Sequence, residues 1–314
     1  MSNLILFTGN SNSEMAKDIC RYLEIKLGDA QVTTFSDGET RVEIRENVRG
    51  KDIFVLQSTC APANNYLMEL LIMIDAFKRS SVRRITAVIP YYGYARQDKK
   101  NKPRVPISAK LVADLLQSAG ANRMITMDLH ANQIQGFFDI PVDNLFAKPV
   151  LLEHIKSKWQ NNIILVSPDA GGVERARAFA KYLGVQIAII DKRRIAPNQA
   201  EAMHVVGEVE GKIAVILDDM VDTAGTLTEA ATALKKCGAL EVHACCAHAV
   251  LSGSAIKRIN DSEIQTIVVT NTIPLNENTK GKGYDKIRVL SVSKILADAI
   301  HRCHTGQSVS SLFI

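Results

Sequence analysis

The sequence is poor in aromatic residues and contains no long uncharged apolar run. Phe, Trp and Tyr together make up only 5% of the 314 residues, and there is a single Trp. A membrane-spanning helix needs ~18 consecutive apolar residues, and the best candidate stretch, 242–256, is too short and contains two histidines. These absences predict a protein that does not cross a membrane.

Charge of neither sign dominates, since the net charge is only +5. Composition therefore makes no case for a nucleic-acid partner. The opening stretch MSNLILFTGNSNSE has no basic segment ahead of its short apolar run, so we expect no signal peptide and a cytoplasmic protein.

The six cysteines are then predicted to be reduced thiols. In HACCAH (243–248) the His and Cys residues alternate between strand faces, which favours buried thiols over a zinc site.

Short apolar strands alternate with amphipathic helices along the chain. Strands that are apolar on both faces and alternate with helices are typical of parallel sheets covered on both sides. The predicted strands are 52–59, 84–92, 123–130, 162–169, 186–192, 212–219, 241–248 and 266–273. The clearest predicted helices are 67–80, 107–119, 172–183 and 226–237.

The two halves of the chain contain a related helix–strand unit. Residues 113–131 match 231–249 without gaps at Ala, Leu, Gly-Ala and the closing His-Ala. A domain-sized offset favours duplication over a short repeat, although two generic helix–strand units remain the alternative. The length also suits two domains. We predict domains 1–148 and 149–314, and the last helix and tail are candidates to pack back on the first domain.

The stretch VILDDMVDTAGTLTEA (215–230) leads from a buried strand into a helix through carboxylates and small residues. Carboxylates at the end of a buried strand are costly unless they bind something. Small residues at a helix N-terminus can direct backbone N–H groups at an anion. No Lys follows the glycine, so the stretch is neither a P-loop nor a dinucleotide fingerprint. A ribose-phosphate site is favoured over the alternative, a solvated turn.

Eight segments, spread over nearly the whole chain, resemble one known family. They are FSDGE (35–39), ENVRGKDIFVLQST (46–59), PYYGYARQD (90–98), VPISAKLVADLL (105–116), DLHANQIQGFFDIPVDNL (128–145), VSPDAGGVERA (166–176), DKRR (191–194) and DDMVDTAGT (218–226). The chain is thereby identified as resembling the ribose-phosphate diphosphokinases, a family with the type I phosphoribosyltransferase fold.

The resemblance implies both an architecture and a reaction. The fold would be α/β, with two similar type I phosphoribosyltransferase-like domains, each a mainly parallel sheet flanked by helices. The reaction would be the Mg²⁺-dependent transfer of the β,γ-diphosphoryl group of ATP to the C1 hydroxyl of ribose 5-phosphate. The products would be 5-phosphoribosyl 1-diphosphate and AMP, for nucleotide and amino-acid biosynthesis.

The resemblance also implies roles for individual residues. The ATP-binding residues would be Phe35, Asp37, Glu39, Arg96 and Gln97. The Mg²⁺ contacts would be His130 and Asp169, and the catalytic cations Lys192 and Arg194. Ribose 5-phosphate would bind to Arg194, Asp218, Asp219, Asp222, Thr223, Ala224, Gly225 and Thr226. A regulatory site for phosphate as activator and for ADP would use Arg49, Ser80, Ser308, Ser310 and Phe313.

Physical chemistry supports some of these roles more strongly than others. The 5-phosphate does not react, so backbone amides suffice to hold it, whereas the reacting phosphates need cationic side chains. Asp169 is a natural Mg²⁺ ligand, but Mg²⁺ prefers oxygen, which makes His130 the weaker candidate. No residue is assigned as a general base.

In the family, the FSDGE contact to ATP comes from a neighbouring subunit. The resemblance therefore implies a homo-oligomer, a hexamer built from dimers. Two other functions compete with the enzyme: a silent relative that regulates an active partner, and a phosphoribosyltransferase that consumes the diphosphate. The complete set of site residues argues against the first, and the ATP segments FSDGE and YARQD argue against the second.

Overall fold

The computed structural model describes residues 3–159, 161–193, 202–275 and 283–312, which form two units. The first unit contains the described residues of Met1–Phe146, Thr272–Pro274 and Val292–Ile314. The second contains those of Ala147–Asn271 and Leu275–Ser291. Each unit has its own sheet with mainly parallel strands, so the predicted α/β fold class is confirmed.

The first unit is built on a parallel sheet of five strands with a separate antiparallel hairpin. Its strands are β1 (Leu4–Thr8), β2 (Ala30–Thr34), β3 (Thr40–Ile44), β4 (Asp52–Leu56), β5 (Arg84–Ile89), β6 (Arg123–Met127) and β7 (Val142–Leu145). Its helices are α1 (Ser13–Leu23), α2 (Ala63–Arg79), α3 (Ser108–Ala119) and the late helix α8 (Ser293–Thr305). Short 3-10 helices span Asn132–Phe137 and Ser310–Leu312.

The five-stranded sheet has the order β1-β4-β5-β6-β7, and β2 and β3 pair as the hairpin. All five residues of β4 are buried, as its apolar sequence DIFVL predicts for a strand covered on both faces. The late helix α8 packs against α1. Its C-terminal turn contacts the start of the sheet, because His304 Nδ1 lies 2.8 Å from Asp52 Oδ2.

The second unit contains the remaining elements. They are α4 (Lys148–Lys158), β8 (Ile163–Ser167), α5 (Val173–Leu183), β9 (Ile187–Arg193), β10 (Ala202–Val206), β11 (Ile213–Val221), α6 (Gly225–Lys236), β12 (Glu241–Ala249), α7 (Ala255–Asn260), β13 (Thr266–Thr270) and β14 (Ile287–Leu290). Its seven strands form one sheet in the order β10-β9-β8-β11-β12-β13-β14. Only the β10–β9 pair is antiparallel in this sheet of described strands.

The strand order of the second sheet reverses between β8 and β11. From β8 the chain moves outward to β9 and β10, and it then returns to place β11 on the other side of β8. In open parallel sheets, ligands bind beyond the carboxyl ends of the strands at such a switch point. The loops that follow β8 and β11 are therefore where the fold favours a ligand.

The cysteines of the HACCAH segment lie in β12, and both thiols are buried. Burial raises the pKa of Cys245 to about 12 and raises the pKa of Cys246 as well, so both thiols stay protonated near neutrality.

None of the helices in the described ranges combines the length and the apolar character that a membrane span requires.

Candidate active site

The loop between β11 and α6 holds the residues predicted to bind a sugar phosphate. Asp222 and Thr223 follow the strand, Ala224 is the N-cap of α6, and the helix begins at Gly225. Buried Leu227, with Ala230, Ala231 and Leu234 further along, anchors one face of this helix in the core. The first turn of a helix leaves N–H groups without a partner inside the helix. The loop therefore has the geometry of an anion-binding cradle.

Two carboxylates lie at the end of β11, beside this cradle. Asp219 is buried and Asp218 is partly buried, and Arg175 on α5 approaches both. Nη1 of Arg175 lies 3.7 Å from Oδ1 of Asp218 and 3.8 Å from Oδ1 of Asp219. Burial, followed by the neighbouring charge of Asp219, raises the pKa of Asp218, and the Arg175 charge opposes that rise. Paired carboxylates of this kind can accept hydrogen bonds from sugar hydroxyls.

Asp169 follows β8, across the switch point from the Asp222–Thr226 loop. Its Oδ1 accepts a hydrogen bond from the Gly172 amide at 3.0 Å, and the residue is exposed. A Cβ at Gly172 would lie only 2.8 Å from Ser167 Oγ, so a larger residue here would displace the Ser167 hydroxyl. The backbone of Lys192 lies in β9, next to β8 in the sheet. Arg194 lies outside the described residues.

The predicted ATP residues of the FSDGE segment lie at the tip of the β2–β3 hairpin. The Phe35 amide donates to the Glu39 carbonyl at 2.8 Å, and the Glu39 amide donates to Asp37 Oδ1 at 3.1 Å. Gly38 has a φ of 95°, which is the left-handed conformation that glycine tolerates. Phe35 is 49% exposed, with the Arg41 guanidinium 5.7 Å from its ring centroid. An exposed aromatic ring at a hairpin tip is suited to stacking on a base.

Arg96 and Gln97 lie in the segment between β5 and α3, and both are exposed. The Gln97 carbonyl accepts a hydrogen bond from the Ala109 amide at 3.2 Å, and its side chain accepts one from the Ser108 hydroxyl. These contacts tie the segment to the start of α3. His130 is exposed and lies just after β6, in the same unit as Arg96 and Gln97.

Asp169 and His130 differ in how well they suit Mg²⁺. Asp169 offers an exposed carboxylate, and Mg²⁺ typically binds one or two carboxylates together with substrate phosphates and water. Asp169 therefore fits, and the His130 nitrogen fits less well. Within the described ranges, no group of three or more His, Cys, Asp or Glu side chains is arranged to hold a metal by itself.

Most of the predicted regulatory residues lie in two regions of the first unit. The Gly50 amide, next to Arg49, donates to the Ser81 carbonyl at 3.0 Å, which joins the Arg49 turn to the end of α2 at Ser80. In the tail, Ser308 and Ser310 hydrogen bond to one another at 3.0 Å between their hydroxyls. Phe313 lies outside the described residues.

Three polar side chains at the switch point were not found by the sequence analysis: Arg175, Ser252 and Arg258. The Ser252 hydroxyl donates to Asp222 Oδ1, and Arg258 Nη1 donates to the Thr223 carbonyl at 3.1 Å. Arg175 lies three residues after the DAGG stretch (169–172), and a basic residue in the first turn of α5 was the available signal. Ser252 and Arg258 carry no local signal, because only the β11–β12 pairing brings them to the loop.

A mainly parallel sheet, with small residues at a helix N-terminus and paired carboxylates at its switch point, is the arrangement expected of an α/β protein of the phosphoribosyltransferase fold class. Residues 4–120 match the family described as the N-terminal domain of ribose phosphate pyrophosphokinase. Residues 193–314 match the phosphoribosyl synthetase-associated domain. The chain belongs to the ribose-phosphate pyrophosphokinase family.

Individual relatives support this assignment over the full length. A ribose-phosphate pyrophosphokinase of Clostridium perfringens is 57% identical over 314 residues, covering 99% of this chain and 98% of the relative. One of Ralstonia nicotianae is 57% identical over 311 residues, with the same two coverages. The crystal structure of phosphoribosylpyrophosphate synthetase from Mycobacterium smegmatis has a TM-score of 0.91 and 43% identity, covering 97% of this chain and 99% of that one.

These comparisons confirm the prediction of an enzyme of this family. The reaction predicted from the sequence, diphosphoryl transfer from ATP to ribose 5-phosphate, is the reaction of ribose-phosphate pyrophosphokinases.

Proposed function

We propose that this chain transfers the β,γ-diphosphoryl group of ATP to the C1 hydroxyl of ribose 5-phosphate in a Mg²⁺-dependent reaction. The observation that carries the proposal is the Asp222–Thr226 loop beside the paired carboxylates Asp218 and Asp219 at the switch point of the second sheet. The loop suits the 5-phosphate, and the carboxylates suit the ribose hydroxyls.

The proposed ATP site lies in the first unit. Phe35 offers an exposed ring for the base, and Asp37 and Glu39 offer acceptors for polar groups at the same end of the nucleotide. Arg96 and Gln97 are suited to the phosphates, because a guanidinium and an amide both donate to phosphate oxygens. The exposure of all five side chains leaves them accessible to a ligand.

The proposed reaction forms one bond and breaks one bond at the β-phosphorus of ATP. The C1 oxygen of ribose 5-phosphate forms a bond to the β-phosphorus of ATP, and the bond from that phosphorus to the bridging oxygen breaks. AMP leaves with the bridging oxygen, and the C1 hydroxyl releases its proton. Lys192 and Arg194 are proposed to stabilise the charge on the transferred oxygens. Asp169 in the second unit and, as the weaker candidate, His130 in the first unit are each proposed as a Mg²⁺ contact, and Mg²⁺ would supply charge neutralisation for the reacting phosphates.

Oligomerisation, location and regulation are further parts of the proposal. We propose a cytoplasmic homo-oligomer, a hexamer built from dimers, in which the FSDGE hairpin serves a neighbouring subunit.

A regulatory site is also proposed, at which phosphate would activate the enzyme and ADP would inhibit it. Its residues would be Arg49, Ser80, Ser308, Ser310 and Phe313. The hydrogen bond that joins the Arg49 turn to the end of α2 supports this site. A rate that is unaffected by phosphate, in a buffer otherwise free of it, would remove the activator role.

Phosphorus NMR of the purified protein with ATP, ribose 5-phosphate, Mg²⁺ and inorganic phosphate tests the reaction. We expect AMP together with a new diphosphoryl sugar. Appearance of ADP would mean single-phosphoryl transfer and would overturn the mechanism. Binding of both substrates without any reaction would favour the silent regulatory relative. A control without Mg²⁺, with EDTA added, is expected to show no AMP.

A further inference from the structure

The chain segment after β12 forms hydrogen bonds with three consecutive carbonyls at the start of the Asp222–Thr226 loop. The Leu251 amide donates to Val221 at 3.0 Å, and the Ser252 amide donates to Asp222 at 3.1 Å. The third bond comes from a side chain, because Arg258 Nη1 donates to the Thr223 carbonyl at 3.1 Å. The loop is therefore held on one side by Leu251–Arg258, a segment that no predicted role accounts for.

These bonds determine where the loop amides point. A trans peptide is planar, and its C=O and N–H groups point in opposite directions. When the Thr223 carbonyl is directed at Arg258, the Ala224 N–H of the same peptide is directed away from it. The bond from Ser252 to the Asp222 carbonyl directs the Thr223 N–H in the same manner. Successive N–H groups turned to one side are what an anion requires.

The backbone at this point adopts a conformation that its sequence does not favour. Ala224 has a φ of 61°, in the left-handed region that residues with a Cβ rarely adopt. Its side chain is buried in the core of the second unit. Such a conformation persists only when surrounding contacts enforce it. The bond from Arg258 acts on the peptide directly before Ala224, so it bears on this conformation more directly than any contact further along the helix.

The Arg258 guanidinium also lies close to the floor of the cradle. A Cβ at Gly225 would lie 3.2 Å from Arg258 Nη1, and the arginine is exposed rather than paired inside the core. Its positive charge lies on the carbonyl side of the Thr223–Ala224 peptide and adds to the positive field of the α6 N-terminus, which favours an anion on the N–H side.

We propose that Arg258 is a positioning residue for the sugar-phosphate site, which holds the Thr223–Ala224 peptide with its N–H turned toward the 5-phosphate. The inference rests on the proposed function, since it takes the Asp222–Thr226 loop as the 5-phosphate site. Because the contact goes to the loop backbone, its loss weakens ribose 5-phosphate binding and leaves ATP binding and the chemical step largely unchanged.

Calorimetric titration with ribose 5-phosphate, together with steady-state kinetics, tests the role of Arg258. Arg258→Met keeps the length of the aliphatic stem and removes both the donor and the charge. We expect its Kd for ribose 5-phosphate to rise about tenfold, the scale of one lost hydrogen bond from a charged group. The KM for ATP, and kcat at saturating ribose 5-phosphate, are expected to stay within about twofold of wild type. Arg258→Lys, which restores the charge and one donor, should recover part of the affinity.

Lys257→Met is the matched control, because Lys257 is an exposed residue of the same charge on the same helix. Wild-type affinity in Arg258→Met, or an equal loss in Lys257→Met, would overturn the proposal. If Arg258→Met fails to fold, Arg258→Gln, whose side chain is too short for the contact, gives the same comparison. If the wild-type protein binds ribose 5-phosphate but forms no AMP, the proposed function fails, and the Kd comparison still decides the role of Arg258.

Discussion

Nη1 of Arg175 lies 3.7 Å from Oδ1 of Asp218, within ion-pair range but beyond hydrogen-bond distance. The interaction is therefore electrostatic, and the same guanidinium serves Asp219 at 3.8 Å. Arg175 belongs to α5, after β8, whereas both aspartates lie near the end of β11, so the contact spans the switch point. One cation thus offsets part of the repulsion between two neighbouring carboxylates that are largely withdrawn from water.

Replacement of Arg175 should shift the pH dependence of ribose 5-phosphate binding. The Arg175 charge lowers the pKa of Asp218 against the effect of burial, so Arg175→Met should raise that pKa further. The ionised carboxylate, which accepts hydrogen bonds from sugar hydroxyls, would then form only at higher pH. We expect the KM for ribose 5-phosphate to rise about tenfold near neutrality and to recover toward alkaline pH.

Arg177→Met is the control for this shift, because Arg177 is an exposed arginine on the same helix. Its KM profile should follow that of the wild-type protein across the pH range. An Arg175→Met profile with an unshifted midpoint would show that Arg175 does not control the charge state of Asp218.

Without a bound ligand, the ionised Asp218 carboxylate should destabilise the folded protein. Its pKa is raised in the folded state by burial and by the charge of Asp219. The folded state therefore holds the proton more tightly than the unfolded chain, in which Asp titrates near pH ~3.9. Below that pH the raised pKa has no effect on stability. Above it, the folded state loses stability as pH rises, until its own raised pKa is passed.

Asp218→Asn should therefore raise the thermal unfolding midpoint, by roughly 2 °C or more at pH 8 and by less at pH 5. The same variant should bind ribose 5-phosphate more weakly, because the charged acceptor is lost. Asp261→Asn, at an exposed position, is the control and should leave both quantities nearly unchanged. A stabilisation that is the same at both pH values would contradict this account.

The sequence predicts the alternation of strands and helices well, because buried strands such as β4 and β8 are apolar at four of their five positions. The predicted helices 107–119, 172–183 and 226–237 begin within one residue of α3, α5 and α6, whereas the start of α2 was missed. The helix predicted at 67–80 begins at Ala63, since its first turn contains exposed Asn64 and Asn65 and gives no apolar periodicity. The strand β10 was not predicted, because it lies at the sheet edge and His204 interrupts its apolar run.

The candidate site shows the same division between local and long-range information. The carboxylates and small residues of 218–226 are contiguous, so residue types alone indicate an anion and sugar site. The contacts of Arg175 and Arg258 depend on which strands become neighbours in the sheet. Periodicity indicates that a parallel sheet forms but does not give its strand order, and these two arginines could not be connected to the loop in advance.

Lys192 should be essential for turnover and dispensable for substrate binding. If it stabilises charge that develops during transfer, Lys192→Ala should lower kcat by about 10²–10³-fold, the usual cost of one such donor. The Kd for ribose 5-phosphate should stay within about threefold of wild type. Lys181→Ala, at an exposed position on α5, is the control and should keep the wild-type rate. A near-normal rate in Lys192→Ala would exclude the catalytic role.

A buried ion pair in the first unit should contribute more stability than an exposed pair of the same residue types. Asp52 is 4% exposed, and its Oδ1 accepts a hydrogen bond from Arg84 Nε at 2.9 Å. Arg84 also donates to the Cys303 carbonyl at 3.1 Å, and His304 contacts the same aspartate, so the cluster joins β4, β5 and α8. Asp52→Asn would leave the Arg84 charge without its carboxylate partner. Because the site is largely buried, water would compensate that charge only in part.

We expect Asp52→Asn to lower the free energy of unfolding by about 2 kcal/mol, less than for a fully buried pair because one-third of the Arg84 side chain is exposed. This corresponds to a fall of about 5 °C in the thermal unfolding midpoint. Asp75→Asn is the control, because Asp75 pairs with Arg79 at 2.6 Å on the exposed face of α2. Its loss should change the midpoint by about 1 °C or less. Equal effects of the two variants would mean that burial does not strengthen the Asp52 cluster.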